Sequence, residues 1–120
     1  MKPKLIVSRP IYPDVIERLK ADFEVTAHQT DPEWTPQTWT QALSQHDGAL
    51  TMGIETVNEE VLTACPRLRI CANLSVGYNN FDVPAMTQHK VLATNAPDVL
   101  TETTADFGFA LLMAAARRVT

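Results

Sequence analysis

The stretch Ser75-Val76-Gly77-Tyr78-Asn79-Asn80-Phe81-Asp82-Val83 holds the residues whose types and order best suit chemistry. Gly77 allows a sharp turn and leaves main-chain N–H groups uncovered, which suits a carboxylate oxygen without any charged side chain. The same spacing also describes a plain tight turn between a strand and a helix. Other reactive types are scattered. His28, His46 and His89 fall at a strand end or in helix tails. Cys65 and Cys71 are neither Cys-x-x-Cys nor part of a Cys/His cluster, so a metal site or redox pair gives way to two small buried hydrophobes. Asp98 and Asp106 could be taken for an acid/base pair or for a turn residue and a first-turn helix residue. The four glycines, Gly48, Gly53, Gly77 and Gly108, form no G-x-G-x-x-G, so a dinucleotide is not held by that route.

Short β-rich runs alternating with helix-like stretches must position these residues, and that rhythm predicts βαβ units around a parallel sheet. Strands are predicted at Lys4 to Ser8, Glu24 to His28, Ala49 to Met52, Leu68 to Ala72 and Val91 to Thr94. Pro13 opens a first helix carrying Val15, Ile16, Leu19 and Phe23, and Thr35-Pro36 caps a second with Trp39, Ala42 and Leu43. Thr56-Val57-Asn58-Glu59 reads as a capping box for a third helix, which Pro66 stops. Asp82 caps a brief fourth through Met86. The fifth helix runs from Thr101 to about Arg118, with Thr103 and Asp106 spaced as a capping box. Its apolar run of Phe107, Phe109 to Met113 and Ala114 to Ala116 leaves almost no polar face, so burial nearly all round is expected, and with it further sequence to cover the helix. The stretch at 75–83 follows the fourth strand, at the carboxyl end where open α/β sheets place ligands.

The chain of 120 residues is 45% hydrophobic and 20% charged, close to an average globular domain, so one domain with a real core is predicted. A net charge of -4 gives no broad positive field, which argues against nucleic acid or an anionic membrane as partner and favours small molecules or protein. The opening Met-Lys-Pro-Lys leads only into Leu5-Ile6-Val7, too short for a secretory or spanning segment, so a cytoplasmic location is expected.

Two long motifs carry a resemblance. The stretch from Ser75 to Val83, then Thr94-Asn95-Ala96-Pro97-Asp98-Val99-Leu100-Thr101-Glu102-Thr103-Thr104-Ala105-Asp106 with Ala114-Ala115-Ala116-Arg117-Arg118-Val119, resembles the D-2-hydroxyacid dehydrogenase family. Met1-Lys2-Pro3, Phe81-Asp82-Val83 and Leu100-Thr101-Glu102-Thr103 most resemble its bacterial glyoxylate/hydroxypyruvate reductase B branch. The resemblance implies a flavodoxin-like α/β substrate-binding domain over 1–100 and a linking helix over 101–120 toward a Rossmann NAD(P)-binding domain outside this chain. It assigns Val76 and Gly77 to the carboxylate of a 2-oxo acid, and Met52 and Gly53 to the substrate pocket. Relatives often carry a larger residue at the Gly53 position and an Asp at the Asn79 position; Asn79 is expected to make the same turn-stabilising hydrogen bond. Thr104 is implied to face the cofactor, NADPH or NADH, although a helix-start hydroxyl serving the backbone accounts for it equally.

The family's catalytic Arg, Glu and His would lie beyond Thr120, so none of the three histidines receives a catalytic role, no metal is called for, and the fragment alone is expected to be inactive. The implied whole is a homodimeric reductase of glyoxylate and hydroxypyruvate. Two other readings compete. A receiver domain would need acidic residues after strand one, an aspartate ending strand three and a lysine after strand five, where Ser8-Arg9, Thr51 and Thr94-Asn95 stand. A free-standing binding or dimerisation module should show a polar outer face, which the last helix lacks.

Overall fold

The computed structural model describes residues 1–30 and 33–119. Five βα units follow one another: β1 (Lys4–Val7), α1 (Pro13–Asp22), β2 (Glu24–Ala27), α2 (Pro36–Leu43), β3 (Gly48–Thr51), α3 (Glu59–Ala64), β4 (Ile70–Asn73), α4 (Val83–Gln88), β5 (Leu92–Thr94) and α5 (Thr101–Arg117). All strand pairs are parallel, in the order β2-β1-β3-β4-β5. The parallel sheet follows the βαβ rhythm of the sequence, and its order is the flavodoxin-like winding that the resemblance implies, with the direction of winding reversing between β1 and β3. Ligands of such sheets sit beyond the carboxyl ends of the strands beside that reversal.

Strand alternation divides the apolar residues between the two faces. Ile6, Ala49 and Cys71 point to one face and close a core with Trp39 and Leu43 of α2, Val61 and Leu62 of α3, and Ala85 and Met86 of α4. On the other face Leu5, Leu50, Ile70 and Ala72 meet Leu19 and Phe23 beside a shallow apolar hollow. Asp47 ties the first strand's edge: its Oδ2 accepts the Lys4 N–H at 2.8 Å, and this bond, with Arg67 nearby, holds its carboxyl below the usual range.

Helix starts obey the sequence with two corrections. Thr35 forms a capping box with Thr38, and Asp82 Oδ1 accepts the Ala85 N–H at 3.0 Å. Thr56, however, does not cap α3. Asn58 does, its Oδ1 accepting the Val61 N–H at 3.1 Å. The reason is a bridge outside the sheet: Val57 N–H donates to Asn80 O and Asp82 N–H to Val57 O, both at 2.9 Å, which holds Val57 extended against Phe81 and delays the helix. The Thr103/Asp106 box is also absent, because the Thr103 hydroxyl donates to Leu100 O at 3.1 Å and α5 starts without a side-chain cap.

α5 departs most from its sequence reading. None of its residues is buried, and Phe107, Phe109, Leu111 and Leu112 stand at 54–66% exposure. Its apolar composition asks for cover that no element of these residues supplies.

Candidate functional site

The carboxyl ends of β1, β3 and β4 each finish in a buried polar residue: Ser8, Thr51 and Asn73. From Thr51 and Asn73 a hydrogen-bonded network spreads into the two loops that follow β3 and β4. Thr51 Oγ1 donates to Asn73 Oδ1. Asn73 Nδ2 donates to Asn80 Oδ1 at 2.8 Å and to Gly77 O at 3.3 Å. Asn80 Nδ2 in turn donates to Glu55 O at 2.9 Å, so the side chain of one loop grips the backbone of the other. In water-poor surroundings a fully bonded network of this kind fixes one geometry, because any unmade bond is costly.

The loop after β3 is drawn inward by Glu55, whose side chain is 1% exposed. Its Oε2 accepts the Met52 N–H at 2.9 Å and its Oε1 accepts the Arg9 Nε–H at 2.7 Å. The Met52 amide is therefore already engaged and is not open to a ligand. Gly53 adopts φ +88°, and a β-carbon there would come within 2.6 Å of Ser75 Oγ. Only glycine allows both that backbone and that approach. The larger residue that relatives often carry at this position has no room in the present geometry.

The loop after β4 has an unusual polarity. Every carbonyl from Ser75 to Tyr78 is taken by an internal donor: Ser75 O by the Ala96 N–H at 2.9 Å, Val76 O by Asn95 Nδ2 at 2.8 Å, Gly77 O by Ser75 Oγ at 2.7 Å, and Tyr78 O by the Phe81 N–H at 3.0 Å. The N–H groups of Val76, Gly77 and Tyr78 have no acceptor among the described residues. Gly77 is exposed, and nothing lies within 4 Å of where its β-carbon would be. Its φ lies outside the left-handed region, so the sharp turn expected of it is made without glycine's special backbone freedom. What glycine contributes here is the missing side chain, which leaves the amides uncovered. Donors turned outward with carbonyls tied inward can accept a carboxylate or another small anion.

Of the residues singled out in the sequence, Val76, Gly77, Met52 and Gly53 are brought together by the contact of Gly53 with Ser75. Thr104 stands apart on the exposed α5, where its hydroxyl makes no hydrogen bond among the described residues; the backbone-serving role belongs to its neighbour Thr103. Asn79 makes no side-chain hydrogen bond either, and the turn is fastened by Asn80 instead. The histidines play packing roles: His28 sits edge-on to Trp34, His46 bridges Ala42 O and Thr26 Oγ1, and His89 pairs with Glu59. Asp98 occupies a turn with φ 63°. A larger groove of about 680 Å³ opens beside Arg9, Trp34, Trp39 and Glu55, but neither Val76 nor Gly77 lines it. Size would point to that groove, whereas the loop at 75–78 pairs open amides with carbonyls that are all engaged.

The residues missed in the sequence are Asn73, Asn80, Glu55, Ser75 and Asn95. Only Asn73 carried a signal, as a polar residue closing an apolar strand; the other four lie in the loops. Cys65 and Cys71 are free and buried, as read from the sequence, and burial pushes their thiols up to about 11 and about 12. Thiolate is the reactive form, so a disulfide reagent at pH 8 should label neither cysteine in the native chain and both after unfolding. Rapid native labelling would contradict the burial. Among the described residues no three His, Cys, Asp or Glu groups converge on a metal position, and no helix is long and apolar enough to cross a membrane.

Residues 5–119 match the family described as D-isomer specific 2-hydroxyacid dehydrogenase, catalytic domain. The chain is 43% identical over 119 residues to a glyoxylate reductase of Thermococcus kodakarensis, covering 99% of this chain and 36% of that protein. It is 40% identical over 119 residues to a glyoxylate/hydroxypyruvate reductase B of Citrobacter koseri, again covering 99% of this chain and 36% of the relative. Among solved structures, an NADPH-dependent glyoxylate/hydroxypyruvate reductase of Sinorhizobium meliloti, in complex with NADP and malonate, superimposes with a TM-score of 0.71 at 31% identity, over 95% of this chain and 34% of that one. The chain thus spans little more than a third of the length of the relatives it matches.

Proposed function

Because the chain belongs to the D-isomer specific 2-hydroxyacid dehydrogenase family, we propose that it forms the substrate-binding part of an NAD(P)H-dependent reductase of glyoxylate and hydroxypyruvate, with Val76 and Gly77 as the carboxylate-binding groups. The observation that carries this reading is the polarity of the loop at 75–78, whose carbonyls are engaged and whose amides at Val76 and Gly77 are open. Met52 and Gly53 form the facing wall. In that arrangement backbone N–H groups anchor the substrate carboxylate, which would leave its carbonyl carbon open to hydride from a nicotinamide cofactor.

Hydride and proton come from elsewhere. A nicotinamide cofactor would supply the hydride, and the proton donor would lie in the adjoining domain; Thr104, at the head of α5, is assigned to the cofactor, a role that its hydroxyl, unbonded among the described residues, leaves open. In this division residues 1–100 are the substrate domain and 101–120 the link. NADPH is favoured over NADH by the relative from Sinorhizobium meliloti, which is NADPH-dependent by its description. The whole enzyme is proposed to be a homodimer joined chiefly through the cofactor domain.

The test is NADPH and NADH oxidation with glyoxylate and with hydroxypyruvate, measured on the 120-residue chain and on a longer chain continued through the next domain. Turnover confined to the longer chain supports the reading; turnover by the short chain overturns it. In the longer chain Gly77→Pro deletes one amide donor. A hydrogen bond to a charged group contributes about 1.5–3 kcal/mol, so KM for glyoxylate should rise about 10- to 100-fold with a smaller change in kcat. A folded variant with unchanged KM rejects Gly77 as a carboxylate ligand.

A further inference from the structure

A planar trans peptide points its C=O and the following N–H in opposite directions. Whatever fixes a carbonyl therefore aims the next residue's amide. Val76 O and Gly77 N–H belong to one peptide group, and the donor bound to that carbonyl is a side chain, Asn95 Nδ2 at 2.8 Å, from the segment after β5. The neighbouring groups are secured differently. Ser75 O, whose peptide carries the Val76 N–H, is held by a backbone donor, the Ala96 N–H at 2.9 Å. Gly77 O, whose peptide carries the Tyr78 N–H, has two side-chain donors, Ser75 Oγ at 2.7 Å and Asn73 Nδ2 at 3.3 Å. The Gly77 amide alone depends on a single replaceable side chain.

We propose that Asn95 is a positioning residue for substrate binding: by holding Val76 O it turns the Gly77 N–H outward to the anion. Asn95 touches no substrate in this role. It acts through the peptide plane, and because it sits between β5 and α5 it also ties the segment leading into α5 to the anion loop. The proposal rests on the reading of Val76 and Gly77 as carboxylate ligands. Glycine has no β-carbon to oppose rotation of its peptide, so this group flips most readily once its tether is removed.

Asn95→Ala in the 120-residue chain removes the donor without adding charge, and Ser75→Ala serves as the contrast, since Asn73 remains on Gly77 O. Two readouts apply: the residual dipolar coupling of the Gly77 N–H, which reports its direction without any ligand, and amide shifts during titration with malonate. In the unaltered chain, malonate should shift the Val76 and Gly77 amides. Asn95→Ala should change the Gly77 coupling and weaken malonate binding about tenfold, the worth of one net hydrogen bond. It should leave the couplings of β1 to β4 in place, and Ser75→Ala should weaken binding less than threefold. A Gly77 coupling unchanged by Asn95→Ala overturns the positioning role, whatever happens to affinity. A changed coupling in a chain whose Val76 and Gly77 amides never respond to malonate overturns the carboxylate reading, leaving Asn95 as an organiser of the loop alone. Equal losses in both variants also count against it, because a general loosening of the loop would not distinguish a single tether from a double one.

Discussion

Gly53→Ala should lower the stability of the domain by about 3 kcal/mol, although it adds one methyl group on a loop. Two costs combine. A non-glycine residue at positive φ loses about 1–2 kcal/mol through contact of its β-carbon with the backbone, and φ at Gly53 is +88°. The new methyl would also lie 2.6 Å from Ser75 Oγ and 3.1 Å from Ser75 Cβ, an overpacking that costs about 1–3 kcal/mol. Loss of glycine's freedom in the unfolded chain returns only about 0.4–1 kcal/mol. Thermal unfolding should therefore fall by on the order of 10–20 °C in a domain of this size. The double variant Gly53→Ala with Ser75→Gly separates the two costs: it removes the collision and keeps the backbone strain, so about half the loss should return. Full recovery would mean that φ at position 53 is not strained, and no recovery that Ser75 moves aside freely. The same contact brings the β3 and β4 loops together, so the single variant should also broaden the amide resonances of Ser75 to Tyr78.

The elements were largely legible because their signals are local. The apolar run Leu5-Ile6-Val7, the cap and proline at Thr35-Pro36, and Asp82 ahead of Val83-Pro84 each act within one turn or one strand, and the helices and strands form where those signals stand. Legibility failed wherever a distant partner outbid a local one. Thr56 through Glu59 satisfies the capping-box spacing, yet Val57 is held by Asn80 and Asp82 from 23 to 25 positions away, and the helix waits for Asn58. The site divides in the same way. The motif around Gly77 could be read from its residues, but Asn73, Asn80 and Glu55 are polar types that ordinarily face water, and nothing local tells that they are sealed between two loops. Their roles follow from the parallel pairing of β3 with β4, which sets Thr51 beside Asn73. The covering of α5 is a third kind of case: its apolar composition was plain, but its surroundings lie outside what these residues provide.

Glu55→Ala carries the other large effect, about 3 kcal/mol, and it tests whether the facing wall of the site is held by a buried charge pair. The carboxylate is almost fully enclosed, at 1% exposure, while Arg9 is 21% exposed. The Glu55 carboxylate accepts two hydrogen bonds, from Arg9 Nε–H and from the Met52 N–H, and each bond to a charged group contributes about 1.5–3 kcal/mol; the partial exposure of Arg9 argues for the lower end. The alanine also orphans the Met52 N–H, which Glu55 Oε2 accepts at 2.9 Å. Glu55→Gln keeps the shape and one acceptor oxygen but must turn its amide toward either Arg9 or Met52, both donors, so a loss of about 1–2 kcal/mol is expected, the cost of one misplaced hydrogen bond. Denaturant melts rank the two variants, and hydrogen exchange at Met52 locates the damage: its amide should be protected in the native chain and exchange freely in Glu55→Ala. If Glu55→Ala costs under about 1 kcal/mol, the pair behaves as exposed ion pairs do. The wall would then be held by the Gly53–Ser75 contact and the Asn80 bond to Glu55 O, neither of which needs the carboxylate.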